Sequence, residues 1–436
     1  MSPFSRTAST ESKKSALWQI LRNMNTIMAH YSVARTETAP RFETGMLLIV
    51  RCMRLASIII IMAGCASVPP SEEAAVITPE QLLAGEPLLA GIDELPEIIA
   101  ATDVLALNPE MRSFVDSYVD RGSTSYAKLH QLLYAVINEG GFGLKYNDLT
   151  HTAAETFNKR NGNCLSFTNM FVAMARDAGL KVSFQEVDIP PDWTMQGDIY
   201  VLSRHMNIYV DLGYHGEHIV DFNIDDFRST YDRRRVSDDR ALAHFYSNQG
   251  VERLQAGDEV EAFLFFRQAI EFDQSFAAAW NNLGALYNRG GHRDFAEASY
   301  LQAVEVQRGG LLSMSNLARL YEEKGDQERA EYYRDRVRYH RSRNPYYQYH
   351  LAREAFQERN YEQAIEYLQR AIRQKEWEDS FYFLLGLSYL QMGEEEKARR
   401  WLSKAEEVAE GDALKRNYHN KLELLLSASP EQRSDL

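Results

Sequence analysis

The chain has 436 residues, which is too long for one ordinary hydrophobic core, so we expect two or three domains. Its composition, 45% hydrophobic and 25% charged, is typical of soluble globular proteins. The formal net charge of -14 argues against nucleic acid as a partner, because an acidic surface repels phosphate groups. The cysteines Cys52, Cys65 and Cys164 are odd in number and far apart, and no cluster has metal-ligand spacing. We therefore expect no disulfide framework and no bound metal, and no nucleotide-binding motif predicts a cofactor.

Residues 46–65 have the pattern of an export signal. Two arginines precede an apolar run that ends at Met62, and two small residues then lead into Cys65. The apolar run is too short to span a bilayer as a stable helix. The stretch before it is long and includes acidic groups, unlike a usual signal, so we expect translation to begin at Met46 or Met53.

The segment Met62-Ala63-Gly64-Cys65 resembles the lipobox of bacterial lipoproteins. The resemblance implies that residues 1–65 direct export to the cell envelope and that Cys65 is lipidated, which would anchor the chain to a membrane. Alanine rather than aspartate follows Cys65, which in that family implies an outer-membrane anchor facing the periplasm. A plain N-terminal membrane anchor, or cleavage elsewhere, is the alternative. Residues 66–80 are predicted to form a flexible linker.

The second half of the chain repeats every 34 residues without a gap. One series of small residues is Gly250, Gly284, Ala318, Ala352 and Gly386. A second series is Ala262, Ala296, Ala330, Ala364 and Ala398, and large groups follow at Phe266, Tyr300, Arg334, Leu368 and Leu402. This spacing predicts pairs of packed helices, in which the first small residue lies where the partner helix approaches closely and the large group fills the space beside it.

The pattern resembles the tetratricopeptide repeat, with five repeats over residues 243–412 and a capping helix over residues 413–426. The resemblance implies an all-α solenoid whose concave groove binds a protein or peptide. The corresponding groove positions are Asn281, Ser315, Asn316, Arg319, Tyr346, Tyr349, Arg353 and Phe383. Aromatic, amide and guanidinium groups suit an extended peptide. The alternative is that these are ordinary surface residues.

Residues 81–240 contain no such repeat, and their most informative segment surrounds Cys164. From Cys164 onward, apolar residues follow helical spacing as far as Gly179. Asn163 is a favourable N-cap and places Cys164 in the first turn. There the helix dipole and the free N–H groups stabilise a thiolate and an oxyanion. The alternative is that Cys164 is a buried small hydrophobic side chain.

A predicted hairpin follows, with His205 near the start of one strand and Asp221 on its partner. A carboxylate bonded to imidazole fixes its tautomer, and a histidine beside a helix-start cysteine forms a thiolate–imidazolium pair. His218 is a rival base. It lies three residues from Asp221, so a regular strand puts the two side chains on opposite faces.

The run Gly162-Asn163-Cys164 at a helix start, His205 and Asp221 together resemble the transglutaminase-like cysteine fold, an α+β, papain-like domain. The resemblance implies Cys164 as nucleophile, His205 as general base and Asp221 as orienting acid. The wider run from Gly162 to Phe167 also resembles exported bacterial proteins that join this fold to tetratricopeptide repeats. The family usually has the segment His-x-Trp, whereas this chain has His205-Met206-Asn207. This departure bears on how the acceptor, water or an amine, is bound.

The predicted architecture is therefore an α+β transglutaminase-like domain followed by an all-α tetratricopeptide-repeat solenoid. One functional hypothesis is a cysteine peptidase or acyltransferase acting on peptide or isopeptide bonds, with hydrolysis slightly favoured. The other is a non-catalytic adaptor or assembly scaffold that works through its repeats. The sequence leaves the choice open.

Overall fold

The computed structural model describes residues 77–137, 142–188, 204–222, 231–307 and 310–427. The predicted export signal, the lipobox and Cys65 lie outside these residues. In the described ranges, every helix is too short or too polar to span a bilayer.

The first part of the described chain mixes helices and strands. Its helices are α1 (Pro79–Ala84), α2 (Glu86–Leu89), α3 (Ala101–Val104), α4 (Pro109–Tyr118), α5 (Ser125–Ile137), α6 (Ala153–Lys159) and α7 (Cys164–Asp177). Its strands are β1 (Lys145–Tyr146), β2 (Asn161–Gly162), β3 (Lys181–Asp188), β4 (Arg204–Asp211), β5 (Glu217–Val220) and β6 (Arg233–Val236). Strands β3 to β6 form an antiparallel sheet in the order β5-β4-β3-β6, while β1 and β2 form a short parallel pair.

Helix α7 and the sheet share one hydrophobic core. Phe171 of α7, Phe184 of β3 and Ile208 of β4 are fully buried in the same cluster. Burial of a side chain of this size stabilises the fold by roughly 1.5–3 kcal/mol. Thr168 Oγ1 also donates a hydrogen bond to the carbonyl of Met206 over 3.2 Å. This packing fixes the start of α7 relative to β4.

The second part consists of helices. They are α8 (Asp238–Ala256), α9 (Glu259–Phe272), α10 (Ala277–Arg289), α11 (Arg293–Val306), α12 (Leu311–Glu323), α13 (Gln327–Ser342), α14 (Pro345–Gln357), α15 (Tyr361–Gln374), α16 (Asp379–Gln391), α17 (Glu395–Val408) and α18 (Asp412–Ser427). From α8 to α17, consecutive helices pair into hairpins, and α18 packs against α17. The predicted fold class, an α+β domain followed by a helical repeat array, is confirmed.

The predicted contact between small and large residues is present in the first, second and fifth hairpins. In the third, Arg334 is instead partly exposed and lies 3.2 Å from Glu331. A Cβ atom added at Gly284 would lie 2.6 Å from the ring of Tyr300, closer than real Cβ atoms approach their neighbours. The equivalent distances are 2.5 Å from Gly250 to Phe266 and 2.6 Å from Gly386 to Leu402. Paired helices therefore meet at these positions with no room for a methyl group.

The segment that precedes α4 lies against the repeats. Tyr287 Oη donates a hydrogen bond to the carbonyl of Leu82 over 2.6 Å, and Tyr246 Oη donates to the carbonyl of Ile99 over 2.7 Å. Gly85, between α1 and α2, has φ +68°, and a side chain there would meet a ring of α9. Residues 81–99, which the sequence analysis placed in the middle domain, thus contact the array, because their apolar side chains find a surface there.

A buried ion-pair network joins the sheet to the first repeat. Glu186 of β3 is 4% exposed, and its Oε1 lies 2.6 Å from Nε of Arg240 and 2.7 Å from Nε2 of His244, both on α8. Arg234 of β6 donates to the other oxygen over 2.5 Å. Burial raises the pKa of Glu186, but the hydrogen bonds from His244, Arg240 and Arg234 outweigh it and hold this pKa well below its usual range. The carboxylate is therefore ionised, and it ties the two parts of the chain together.

Candidate active site

The β4–β5 hairpin brings His205 and Asp221 into contact. Ile208 pairs with Val220 across the two strands, so Asp221, the residue after β5, lies beside β4. His205 Nε2 lies 2.6 Å from Asp221 Oδ1, and both side chains are buried. The predicted hairpin is confirmed, and the carboxylate orients the imidazole ring.

Helix α7 begins at Cys164, as the capping pattern predicts. Asn163 has the extended backbone of an N-cap, and its Oδ1 accepts a hydrogen bond from the N–H of Ser166 over 3.0 Å. The thiol of Cys164 is free and partly exposed. The N–H groups of the first helical turn point towards this end, and they favour negative charge near the sulfur.

The side chain of Cys164 also interacts with His205 and favours its protonated form. Because Asp221 engages Nε2 of His205, Nδ1 is the ring nitrogen that remains for a second partner. Burial by itself lowers the pKa of His205, but the hydrogen bond to Asp221 and the interaction with Cys164 outweigh it and raise this pKa to about 10. The imidazole is therefore cationic at neutral pH and interacts with both a carboxylate and a sulfur.

Asn207 is a further member of the site that the sequence analysis did not assign. It is fully buried, and its Nδ2 donates a hydrogen bond to Asp221 Oδ2 over 2.9 Å. The two oxygens of Asp221 are thus shared between His205 and Asn207. The sequence could have indicated this role, because residues two apart on a strand point to the same face. The side chain of Asn207 therefore lies on the same face of β4 as that of His205. Asn207 thus contacts Asp221, the carboxylate that orients the imidazole ring.

Two further histidines belong to the same hairpin, the rival base His218 and the turn residue His215. His218 is on β5, and its ring centroid lies 6.4 Å from that of His130 on α5. Burial and the charge of His130 lower the pKa of His218. His215 lies in a 3₁₀ turn between β4 and β5. Neither residue has a described contact with Cys164.

The proposed groove residues of the second and third repeats contact one another. Asn281 is buried, and its Oδ1 accepts hydrogen bonds from Asn316 Nδ2 over 2.9 Å and from Ser313 Oγ over 3.2 Å. Ser315 Oγ donates to the backbone of its own helix. Arg319 is exposed and lies 3.4 Å from the Asn316 side chain. Asn281 thus links two repeats. Among these groove residues, Arg319 is the one whose side chain is exposed to solvent.

The proposed groove residues of the fourth and fifth repeats are mostly packed. Tyr346 Oη donates to Glu378 Oε2 over 3.0 Å and accepts from Lys375 Nζ over 2.7 Å. Its ring also meets Tyr231, the residue two before β6, with centroids 6.1 Å apart. Tyr349 packs against the ring of Phe381 at 5.1 Å, and Phe383 packs against the ring of Tyr418 at 5.3 Å. Lys421 Nζ also lies 5.0 Å from the Phe383 ring. Arg353 is exposed.

Metal-ligating side chains are not gathered in the described part of the chain. No group of three or more histidine, cysteine, aspartate or glutamate residues is placed there to hold a metal ion.

Two family models match separate parts of the chain. The transglutaminase-like superfamily matches residues 112–208, a range that includes Cys164 and His205. A tetratricopeptide-repeat family matches residues 355–416, from the end of α14 into α18. A comparison with curated proteins finds no match.

Solved structures align with about two fifths of the chain. A crystal structure of MamA protein is 19% identical, and the alignment covers 38% of this chain and 91% of that one, with a TM-score of 0.22. MamA 41-end from Desulfovibrio magneticus RS-1 is 15% identical over 38% and 94% of the chains, with a TM-score of 0.22. YrrB, a TPR protein with an unusual peptide-binding site, is 17% identical over 41% and 92%, also with a TM-score of 0.22. These scores are low, so the assignment of the repeats rests on the family match and the helix packing. The chain therefore combines a transglutaminase-like α+β domain with a tetratricopeptide-repeat array.

Proposed function

We propose that this chain is a cysteine peptidase or acyltransferase that acts on peptide or isopeptide bonds. The observation that carries the proposal is that His205 is hydrogen-bonded to Asp221 and also interacts with Cys164 at the start of α7. A cationic imidazole bonded to a cysteine sulfur favours the thiolate, which is the nucleophile of this chemistry. Asp221 holds the imidazolium in place and compensates its charge.

The reaction proceeds in two steps. The thiolate of Cys164 attacks the carbonyl carbon, and the carbonyl electron pair moves onto oxygen, near the N–H groups at the start of α7. The tetrahedral intermediate then collapses as its C–N bond breaks, and His205 gives its proton to the departing amine. Water or a second amine attacks the resulting thioester, His205 takes a proton from it, and the thiolate leaves. Hydrolysis yields an acid, and transfer yields a new amide.

The reactivity of the thiol tests the proposal. The rate of alkylation of Cys164 by iodoacetamide is measured at pH 7 in the folded chain and in the same chain unfolded in guanidinium, where the thiol is an ordinary one. We expect the folded thiol to react at least about ten-fold faster, as thiolates stabilised by a neighbouring imidazolium do. His205→Gln should remove the difference. A folded thiol that reacts no faster than the unfolded one contradicts the proposal and favours the adaptor alternative.

We also propose that the repeat array binds a protein or peptide. Arg319 and Arg353 support this, because they are exposed at groove positions and guanidinium groups bond carboxylates and backbone carbonyls well. Peptides selected from a displayed library on the full chain should bind at least several-fold more weakly to the double variant Arg319→Ala, Arg353→Ala. Arg399→Ala, an exposed arginine on α17, is the control. Equal loss in the control would place binding outside the groove.

We propose that the chain is a lipoprotein of the bacterial envelope, anchored at Cys65 and facing the periplasm. The lipobox-like segment supports this proposal. Mass spectrometry of the protein purified from bacterial membranes should find a mature chain that begins at an acylated Cys65. Cys65→Ser should leave the chain unprocessed and without acyl groups. An unmodified Cys65 inside a longer mature chain would contradict the proposal.

A further inference from the structure

A buried backbone segment of the α+β domain is held by the first helix of the repeat array. The N–H of Thr150 donates a hydrogen bond to Glu252 Oε1 over 2.7 Å. The carbonyl of Thr150 accepts a hydrogen bond from Gln249 Nε2. Gln249 and Glu252 lie three residues apart on α8, so they share one face of that helix. Thr150 is 1% exposed, so both of its backbone groups need protein partners, and these come from the array.

The side chain of Thr150 connects this segment to the N-cap of α7, the helix that begins at Cys164. Thr150 Oγ1 accepts a hydrogen bond from Asn163 Nδ2 over 2.8 Å. Asn163 is the N-cap of α7, and its own N–H donates to the carbonyl of Leu149 over 3.0 Å. Ser166 Oγ lies within 3.2 Å of that same carbonyl and accepts from the N–H of His151 over 2.8 Å. The start of α7 is thereby fastened to residues 149–151.

We infer that α8 is a positioning element of the thiol site, in which Gln249 and Glu252 hold Thr150 and Thr150 holds the Asn163 cap that places Cys164. This inference rests on the proposed function for its chemical meaning. Gln249 and Glu252 have no described contact with Cys164 or His205, so they are positioning residues that act through the backbone. The first repeat therefore belongs structurally to the catalytic domain, and the array can affect the thiol without contacting the substrate.

Substitutions of Glu252 in the full chain test the inference. Glu252→Leu removes the acceptor for the Thr150 N–H, whereas Glu252→Gln keeps a carbonyl oxygen at the same place. Glu297→Leu is the matched control, because Glu297 is a largely buried glutamate of α11 that accepts a hydrogen bond from Tyr321 Oη over 2.7 Å and has no described contact with Thr150. Two quantities are measured: the alkylation rate of Cys164, followed by mass spectrometry of its peptide, and amide hydrogen exchange over residues 147–166.

We expect Glu252→Leu to slow alkylation about ten-fold, the size of effect that loss of one hydrogen bond to a charged group produces, and to speed exchange over residues 147–166. Glu252→Gln should stay near wild type in both measurements. Glu297→Leu should lower thermal stability without changing either. If Glu252→Leu does not fold, Thr150→Ala replaces it, because it removes Oγ1 and leaves both backbone bonds to α8, and Thr150→Ser should restore the wild-type rate.

The outcomes separate this inference from the proposed function. Wild-type exchange and wild-type alkylation in Glu252→Leu, or in its replacement Thr150→Ala, would overturn the inference. A wild-type Cys164 no more reactive than an unfolded thiol would overturn the proposed function, while exchange over residues 147–166 would still decide whether α8 holds the segment.

Discussion

Asn207 Nδ2 donates a hydrogen bond to Asp221 Oδ2 over 2.9 Å, while the other oxygen of the same carboxylate lies 2.6 Å from His205 Nε2. A carboxylate held at both oxygens cannot rotate without breaking one of these bonds. Asn207 and His205 are two residues apart on β4, so the strand itself presents both partners to Asp221. The orientation of the imidazole therefore depends on an amide as well as on a carboxylate.

Replacement of this amide should weaken the thiol site. Asn207→Leu keeps the volume and removes the donor, so Asp221 can turn away from His205. We expect alkylation of Cys164 to slow roughly ten-fold, the cost of about one hydrogen bond to a charged group. Asn169→Leu, another buried asparagine of the same domain, is the control. An equal rate in Asn207→Leu and wild type would show that Asp221 needs no second partner.

The ionisation of His205 should make stability depend on alkaline pH. Its pKa in the folded chain, about 10, lies above the ordinary value of 6.5, so the folded state holds the proton more tightly. The stabilisation is fully present below pH 6.5 and is lost as pH rises through about 10. Urea denaturation of wild type and His205→Gln should show a difference in unfolding free energy that shrinks across this window. A difference independent of pH would contradict a charged His205.

The junction between sheet and array should weaken in acid. The folded-state pKa of Glu186 lies below the ordinary value of 4.5, so its stabilisation is present above pH 4.5 and is lost as pH falls towards the folded-state pKa. At pH 7, Glu186→Gln should cost roughly 1.5–3 kcal/mol, the scale of a lost hydrogen bond to a charged group, because Arg240 keeps its pair with Asp273.

An exposed ion pair provides the control for Glu186. Glu261→Gln alters the pair of Glu261 with Arg253 at 3.0 Å, and its cost should stay below about 1 kcal/mol. Denaturation curves at pH 7 and pH 3 measure both variants. Equal costs at pH 7 would mean that the Glu186 network does not join the two parts.

Contact inside a repeat should make Gly284 intolerant of a methyl group. Alanine favours helix over glycine by about 1 kcal/mol, but its Cβ would lie 2.6 Å from the ring of Tyr300. We expect Gly284→Ala to destabilise the chain by roughly 1–3 kcal/mol through overpacking. In a Tyr300→Ala background the same change should be neutral or stabilising. Additive effects in this double-mutant cycle would show that the two residues do not interact.

Substitution at Tyr346 should lower the free energy of unfolding. Tyr346→Phe removes the hydroxyl that bonds Glu378 and Lys375, two side chains that are 1% and 6% exposed. A loss of about 1–2 kcal/mol in unfolding free energy is expected. Tyr214→Phe, at a fully exposed tyrosine, should have no effect on the denaturation midpoint. If the two variants melt together, the Tyr346 hydroxyl is not a structural group.

Much of the fold, and three residues of the site, could be predicted because the rules that govern them are local. A repeat of fixed length places Gly284 and Tyr300 in equivalent positions each time, and helix pairing follows from that spacing. Asn163 is recognisable as an N-cap because capping involves only the next three residues. The hairpin that joins His205 to Asp221 is equally short in sequence.

The tertiary structure decided the contacts between distant segments. Thr150 and Glu252 lie 102 residues apart, and only the docking of the array on the domain brings them together. The repeat position of Tyr346 predicts a groove residue. In the structure, its hydroxyl is hydrogen-bonded to Glu378 of the next repeat. A periodic pattern tells which face of a helix a residue occupies but not what covers that face. The sequence by itself determined the helix hairpins and the candidate Cys–His–Asp series, and three-dimensional packing decided which side chains support them and which remain open to a partner.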